Sequence, residues 1–470
     1  MARRSPGRTH AEGSRSTLKG PQGFDLVRWG DANAAAARTG SAVSRARWVG
    51  LVVSLLLVVT AVGVTLTLGD ALSAGARGHS ASSNTHPRPG QPAVSGFSQW
   101  LDEGSVRTRS GAQWAAIARH NAIVVLNSWD YRLIPILKAA NPAVRVYVYK
   151  DLSGVRSDDC TTANGTCTSC PPGVADSALI SSGMGYCWVR HHHPQWLLRA
   201  AGAGHPLEFR GYPGIWETDY GNRAYLRQWL RNVIADVRFN GWDGVEVDNA
   251  LTSANTYGVA SKYPTDQAVQ AATYAALRYL GPGLRIHGVG AVFNVGYATR
   301  FPGLWQRWLG PVGGLMQEFY LSASAQAGAA GNLWRAFESE VSSCVDQRKS
   351  CWFHTGDYAT AVTPATREYA LASYLLAADG HQYLAIGSPA APAVSQCRAL
   401  GAPLGPAVPV GTLLVRSFGG GFVVVNPSAE AASIGASHRR YFVGHRPMAS
   451  VKLPPKAGAI LGLTTAAACS

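Results

Sequence analysis

The segment Gly241–Asn249, with the sequence GWDGVEVDN, carries two acidic residues at alternate positions of a strand-like run. Alternate side chains of a β-strand point to the same face, so Glu246 and Asp248 share one face and the valines between take the other. In a barrel of parallel strands the valines would face the helices and the acids the interior. Asp248 would then lie at the carboxyl-end rim, where such barrels carry their active sites, with Glu246 about 6–7 Å deeper.

Structural roles for the two acids are the alternative: Asp248 as the cap of a loop, and Glu246 as the partner of a buried arginine. Two carboxyl groups inside a barrel are costly to bury without partners or a task. We therefore predict a functional role for Asp248 and a supporting hydrogen-bonding role for the deeper Glu246.

A second carboxyl group that would work with Asp248 is Glu318, in the segment GGLMQEFY. Cleavage of a glycosidic bond needs one carboxyl group to protonate the leaving oxygen and another to act as nucleophile or as base on water. Glu318 ends a later strand candidate, which would bring it to the same rim from another side. The alternative is a surface acid at a strand end. We predict that Asp248 and Glu318 are the catalytic pair.

Further polar and aromatic residues follow other strand candidates and would line the same rim. Asp130 and Asp357 are the supporting acids. The predicted substrate contacts are Trp129, Tyr131, Lys150, Asp151, Trp216, Asp219, Asn249, Asn294 and Tyr320. Each alone is a weak signal, because polar residues are usual in such loops and aromatic ones pack at barrel mouths. Together they predict an acidic, aromatic-lined cleft suited to sugar rings, which needs no metal and no cofactor.

Short apolar strand-like runs alternate with helical periodicity over residues 93–398, which predicts a (β/α)8 TIM barrel. The strand candidates are residues 122–127, 144–149, 207–210, 245–248, 284–289, 314–319, 351–355 and 383–386. Asn222, Thr265 and Thr363 are predicted helix N-caps, and Gly281 is the predicted end of the helix that Thr265 begins. A doubly wound open sheet is the alternative, but the glycine-rich dinucleotide turn typical of that fold is absent.

The pattern changes after residue 405. Strand-like runs at 412–418 and 422–426 flank a glycine turn, and shorter ones follow at 441–443 and 459–463. We predict a small antiparallel, β-sandwich-like domain over residues 405–470.

The pattern of residues 1–92 predicts that the protein is exported from the cytoplasm. Residues 1–47 form a basic tail, residues 48–69 include twenty consecutive positions without a charge, and residues 70–92 form a flexible linker rich in Ser, Gly, Ala and Pro. About 20 apolar residues span a bilayer as a helix, and the arginines before this segment would hold the N-terminus in the cytoplasm. The alternative is a cleaved signal peptide with a long basic leader. Either way the barrel lies outside the cell, tethered to the membrane or secreted.

The net charge of +15 does not indicate a nucleic-acid binder. Nine Lys and Arg against three Asp and Glu lie in residues 1–47, so the tail contributes +6, and the remaining +9 is scattered without a basic run. No motif of a nucleic-acid-binding fold is present, and we predict no nucleic-acid partner.

The eight cysteines suit an oxidising compartment. Four fall in the stretch 160–187, and Cys344 and Cys351 form a local pair, so we predict disulfides in both places. The alternative for the first group is zinc, because Cys167 and Cys170 have a metal-ligand spacing and three histidines follow at 191–193. The partner spacing of a zinc ribbon is missing, and the histidine triplet is predicted to be a solvated loop.

The segment Asp243–Asn249, the run Glu217–Asn222 before a helix, and Gln317-Glu318 resemble the hypothetical glycosyl hydrolase-like barrels, especially family fifteen of that group. The run RSFGGGFVVVNP at 416–427 is similar to the strand pair of their C-terminal β domain. The resemblance covers residues 95–465 and implies a TIM barrel with a β domain and a carbohydrate substrate. It matches Asp248 to the acid at the end of the fourth strand, and Glu318 to the second acid. The cysteine-bearing stretch 160–187 has no place in the family pattern.

These observations predict a glycoside hydrolase acting on an extracellular or cell-envelope polysaccharide. The alternatives are a membrane-tethered protein that binds polysaccharide without turnover, and an envelope protein in which the barrel is a spacer.

Overall fold

The computed structural model describes residues 94–157, 161–162, 165–166, 170, 173, 175–177, 179–322, 333–356, 362–389, 399–435, 441–443 and 446–465. Eight parallel strands close into a barrel in which every strand pairs with its neighbours along the chain. They are β1 Ser95–Trp100, β2 Ile123–Leu126, β3 Arg145–Asp151, β4 Gly244–Asp248, β5 Gly290–Asn294, β6 Leu315–Gln317, β7 Trp352–Thr355 and β8 Tyr383–Ile386. The TIM barrel is therefore confirmed.

Helices pack around the barrel. They are α1 Glu103–Arg107, α2 Gly111–His120, α3 Ile134–Ala140, α4 Tyr186–His192, α5 Arg223–Asn240, α6 Asp266–Ile286, α7 Leu304–Leu309, α8 Trp334–Asp346 and α9 Pro364–Ala377. The predicted caps are confirmed, because the side chains of Asn222, Thr265 and Thr363 accept backbone N–H groups at the starts of α5, α6 and α9.

Alternation along the strands divides the core into two layers. Val245 and Val247 of β4 are buried in the large cluster that includes the helix residues. A separate cluster fills the barrel interior with Phe97, Ile123, Val125, Tyr147, Val292, Met316 and Trp352. The interior is thus packed with large apolar side chains below the rim, which leaves the carboxyl ends of the strands for a polar site.

One of the predicted barrel strands is wrong, and one barrel strand was not predicted. Residues 207–210 lie in the excursion between β3 and α5, where Glu208 makes only an isolated antiparallel bridge. The true first strand, β1, combines small and polar residues with two large aromatic ones and is recognisable only by its pairing with β2 and β8. Asp248 still ends the fourth strand, because the missed strand and the false one offset each other in the count.

The fifth strand is shifted relative to the prediction of 284–289. Helix α6 does not end at Gly281 but continues through Pro282 to Ile286, which moves β5 to Gly290–Asn294. A Cβ atom at Gly281 would lie 2.5 Å from the carbonyl oxygen of Pro311. The glycine therefore permits close packing of α6 on its neighbour rather than ending the helix.

Antiparallel sheets follow the barrel, as predicted. The strands are β9 Val408–Val410, β10 Leu413–Phe418, β11 Gly421–Asn426, β12 Ala432–Gly435, β13 Tyr441–Val443, β14 Arg446–Met448, β15 Ser450–Leu453 and β16 Ala457–Gly462. Strands β12 and β15 pair with each other, and the other six form one sheet. Buried Arg416 of β10 ties this sheet to the barrel, since its guanidinium donates to the carbonyl oxygens of Leu375 and Ala378 at the end of α9.

Two of the predicted disulfide locations are confirmed. Cys344 is bonded to Cys351, and Cys170 to Cys187. The second bond removes Cys170 from the zinc alternative, and the described residues hold no group of three or more side chains suited to a metal ion. Cys160 and Cys167 lie outside the described residues. His191 and His192 end α4 rather than forming a loop.

The predicted basic tail, membrane segment and linker all lie outside the described residues. Within the part of the chain that the structure describes, no helix is long and apolar enough to span a bilayer.

Candidate active site

The ends of β4, β5 and β6 bring Asp248, Asn294 and Glu318 together. The side-chain amide of Asn294 donates one hydrogen bond to Asp248 Oδ1 and another to Glu318 Oε2, each 2.8 Å long. Both carboxyl groups are half-buried. Since each of these oxygens is 2.8 Å from one nitrogen, they can be no further apart than twice that distance, 5.6 Å.

Asp248 accepts two further hydrogen bonds. The hydroxyl group of Tyr149 donates to Oδ2 at 2.6 Å, and the backbone N–H of Asn249 donates to Oδ1 at 2.8 Å. Burial raises the pKa of Asp248, while its three donors act to lower it. The carboxyl group is therefore held in one orientation, with both oxygens engaged.

Glu246 lies deeper in the same strand and is fully buried. Among the described residues, neither of its carboxyl oxygens has a hydrogen-bond partner, contrary to the predicted hydrogen-bonding role. Burial, followed by the nearby Asp248 and Glu318, raises the pKa of Glu246 well above its ordinary value. The shift favours the neutral form of Glu246, and the arginine partner of the alternative interpretation does not exist among the described residues.

Replacement of Glu246 by glutamine is expected to change the pH dependence of stability. Because the folded-state pKa of Glu246 exceeds its unfolded value near 4.5, folding takes up a proton above that pH. Glu246 therefore costs stability as the pH rises from about 4.5 toward the folded pKa, by up to about 1.4 kcal/mol per pH unit. We expect Glu246→Gln to be as stable as the wild type at pH 4 and increasingly more stable by pH 7.

Chemical denaturation at several pH values measures this difference. Glu430→Gln, at an exposed position, is the matched control and should follow the wild type at every pH. A constant difference between Glu246→Gln and the wild type from pH 4 to pH 8 would show that Glu246 is ionised in the folded protein.

Asp151 ends β3 and stands opposite Asp248 in the strand pair. Burial and then the charge of Asp248 raise the pKa of Asp151 to about 7. Glu217 lies nearby in a short strand, Ile215–Glu217, that pairs with Gly154–Arg156, and burial followed by Asp151 raises its pKa to about 8. Three raised pKa values beside Asp248 are typical of a functional site.

Lys150 does not line the cleft, contrary to the prediction. Its side chain points to the helix layer, where the fully buried ammonium group pairs with Asp236 of α5 at 2.6 Å. It also donates to Ser128 and to the carbonyl oxygen of Ile180. Strand alternation explains the error, since Lys150 lies between Tyr149 and Asp151, which face inward.

The predictions that Tyr320 and Asp219 contact the substrate are also wrong. Tyr320 is fully buried, and its hydroxyl group donates to Glu338 at 2.8 Å. Asp219 is 3% exposed, and its carboxylate is bound by Lys262 and Tyr263. These side chains serve packing and loop structure, and a substrate cannot reach Tyr320.

Trp129, Asp130 and Tyr131 lie half-buried in the 3-10 helix Ser128–Leu133 that follows β2. Trp216 is half-buried and stacks on Tyr186, with ring centroids 5.8 Å apart. In the described part of the chain, none of the aromatic side chains of Trp129, Tyr131 and Trp216 is hydrogen-bonded to Asp248 or Asn294. Asp357 lies outside the described residues.

Sequence reasoning missed two residues of this site. The hydroxyl group of Tyr257 donates to Asn249 Oδ1 at 2.6 Å, from a loop that carries no motif. Buried His354 of β7 contacts the backbone oxygens of Glu318 and Gly387 through its two ring nitrogens and thereby holds the backbone at Glu318. The sequence signal that could have identified His354 is its inward-facing position on β7.

A parallel (β/α)8 barrel with two carboxyl groups bridged at its carboxyl-end rim defines the class: a glycosidase-type TIM barrel. The sequence profile of the hypothetical glycosyl hydrolase family 15 matches residues 138–422, and the chain belongs to that family. It is a glycoside hydrolase.

Among solved structures, the chain is similar to the glycoside hydrolase domain of PelA from Pseudomonas aeruginosa, at 14% identity and a TM-score of 0.37, over 63% of this chain and 95% of that one. It is also similar to Aspergillus fumigatus Ega3 in complex with galactosamine, at 12% identity and a TM-score of 0.37, over 65% and 95% of the two chains. An α-amylase from Malbranchea cinnamomea matches at 11% identity with a TM-score of 0.42, over 78% and 95%. The comparison with curated protein sequences gives no match.

Proposed function

We propose that the chain hydrolyses O-glycosidic bonds of a polysaccharide with Asp248 and Glu318 as the catalytic pair, and that it retains the anomeric configuration. The observation that carries this proposal is the double hydrogen bond from Asn294, which limits the distance between the bonded carboxyl oxygens to 5.6 Å. This limit on one pair of oxygens favours the separation of about 5–5.5 Å between the carboxyl groups of retaining enzymes over the about 6.5–9.5 Å with which inverting enzymes admit a water molecule.

In this mechanism Asp248 is the nucleophile. Burial raises the pKa of Asp248, and its three hydrogen-bond donors act against that shift by fixing and stabilising the carboxylate, which suits attack on the anomeric carbon. Glu318 gives its proton to the leaving oxygen as the glycosidic bond breaks and the bond from Asp248 forms. Water then attacks the anomeric carbon, gives a proton to Glu318, and releases the sugar from Asp248.

The proposed substrate is an extracellular or cell-envelope polysaccharide, reached by a membrane-tethered or secreted barrel. The uncharged segment 49–68 and the disulfides support this location, because disulfides persist in oxidising compartments. Protease added to intact cells should cut the barrel and leave residues 1–47 intact if the tether is retained.

A glycan screen of the purified full-length protein, with detection of new reducing ends, tests the function. Proton NMR during the first minutes of hydrolysis then identifies the anomer released, and retention is expected. Inversion would contradict the assigned mechanism. Tight binding of a glycan with no new reducing ends would favour the non-catalytic binding protein.

A further inference from the structure

Asn249, the residue after Asp248, has a left-handed backbone conformation with φ of 57°. Such a conformation is uncommon for residues other than glycine, although asparagine tolerates it better than most. In this conformation the backbone N–H of Asn249 donates to Asp248 Oδ1 at 2.8 Å. The angle φ of Asn249 relates the peptide plane that carries this N–H to the side chain of Asn249, so anchoring that side chain also fixes the direction of the donor.

Buried Asp151 and half-buried Tyr257 hold the side chain of Asn249 from opposite ends. Its amide nitrogen donates to Asp151 Oδ2 at 2.8 Å, and its amide oxygen accepts from the hydroxyl group of Tyr257 at 2.6 Å. The ring of Tyr257 is itself fixed by stacking on Phe209, with centroids 3.9 Å apart. Asn249 thus has a single orientation set from both sides.

Asp151 cannot also serve as a substrate contact while it holds Asn249. Its second oxygen, Oδ1, accepts the backbone N–H groups of Ser153 at 2.9 Å and Gly154 at 2.8 Å, and the residue is 1% exposed. Both oxygens are therefore occupied by protein donors, and the carboxyl group is directed at Asn249 rather than at the cleft.

We propose that Asp151 and Tyr257 are positioning residues that act through Asn249 to orient the carboxylate of Asp248. We call the three residues Asp151, Asn249 and Tyr257 the positioning relay. This inference rests on the proposed function for its effect on rate, but its effect on the Asn249 N–H group does not require any activity. The role proposed for the relay is to orient Asp248, not to bind the substrate.

Kinetics of single and double variants test the relay. Tyr257→Phe removes only a hydroxyl group. Asp151→Asn keeps the shape, but its amide would turn a donor toward either Asn249 or the N–H groups of Ser153 and Gly154. We expect each variant to lower kcat about 10-fold and leave KM within about twofold, because orientation and not binding is lost.

The double variant distinguishes a relay from two independent structural defects. Since both substitutions release the same residue, we expect the combined loss to stay near 10-fold, whereas independent effects would multiply to about 100-fold. Tyr263→Phe is the matched control, because this buried tyrosine also donates to an aspartate, Asp219, outside the relay. Its kcat should be unchanged. Multiplicative losses would overturn the proposal.

Hydrogen exchange of the backbone N–H of Asn249 provides a readout that needs no substrate. In full-length protein with labelled asparagine, we expect exchange at this amide to be at least about 10-fold faster in Tyr257→Phe than in the wild type, and unchanged in Tyr263→Phe. Unchanged exchange in Tyr257→Phe would overturn the relay. Faster exchange in a protein that cleaves no glycan would support the relay and contradict the proposed function.

Discussion

Asp248→Asn is expected to lower kcat by roughly 10⁴-fold or more, which is the scale of loss when a catalytic nucleophile is removed. Asparagine has the same shape: its oxygen can still accept from Asn294 and from the backbone N–H of Asn249, and its amide can donate to the hydroxyl group of Tyr149. It has no negative charge with which to attack the anomeric carbon. Because Asp248 is half-buried among polar groups, the fold and the affinity for the glycan should change little.

The measurements are kcat on the glycan found by the screen and the Kd of the same glycan by calorimetry. Asp243→Asn is the matched control, since Asp243 precedes the same strand at the opposite end of the barrel and pairs with Lys138. It should retain wild-type kcat. If Asp248→Asn kept more than about one hundredth of the wild-type kcat, Asp248 would not be the nucleophile.

Glu318→Gln is expected to affect substrates according to their leaving groups. A glycan needs a proton on its leaving oxygen, so kcat/KM should fall about 10²–10⁴-fold, the usual contribution of general acid catalysis. A dinitrophenyl glycoside of the same sugar leaves without protonation, and its bond-breaking step should be nearly unaffected. The ratio of the two losses is therefore the diagnostic quantity.

Glu430→Gln, an exposed change in the C-terminal domain, is the control and should leave both substrates unaffected. Equal losses on the glycan and on the dinitrophenyl glycoside would contradict the role of Glu318 as general acid. In that case its hydrogen bond to Asn294 would matter for the structure of the rim rather than for proton transfer.

The local sequence determined the elements that depend on neighbouring residues. The alternation in β4 placed Val245 and Val247 outward and Glu246 and Asp248 inward, because side chains alternate in any strand. The caps at the starts of α5, α6 and α9 and the bounds of β8 were predictable for the same reason, since a few adjacent residues decide them.

Only the tertiary structure decided which polar groups meet. Tyr149 and Asp248 are 99 residues apart, and strand pairing alone brings them together. Lys150 was predicted at the cleft and is instead bound to Asp236 on the helix side, because a buried ammonium group needs a charged partner that the sequence does not reveal.

The geometry of the catalytic residues was also decided only by the tertiary structure. The residue types at 248, 294 and 318 indicated a carbohydrate site, but the bridge through Asn294 depends on the pairing of β5 with β4 and β6 and on the shifted start of β5. The distance between two carboxyl groups follows from strand register and barrel closure, which are long-range properties of the chain. For that reason the sequence determined the chemistry of this site, and the fold determined its separation and the predicted stereochemistry.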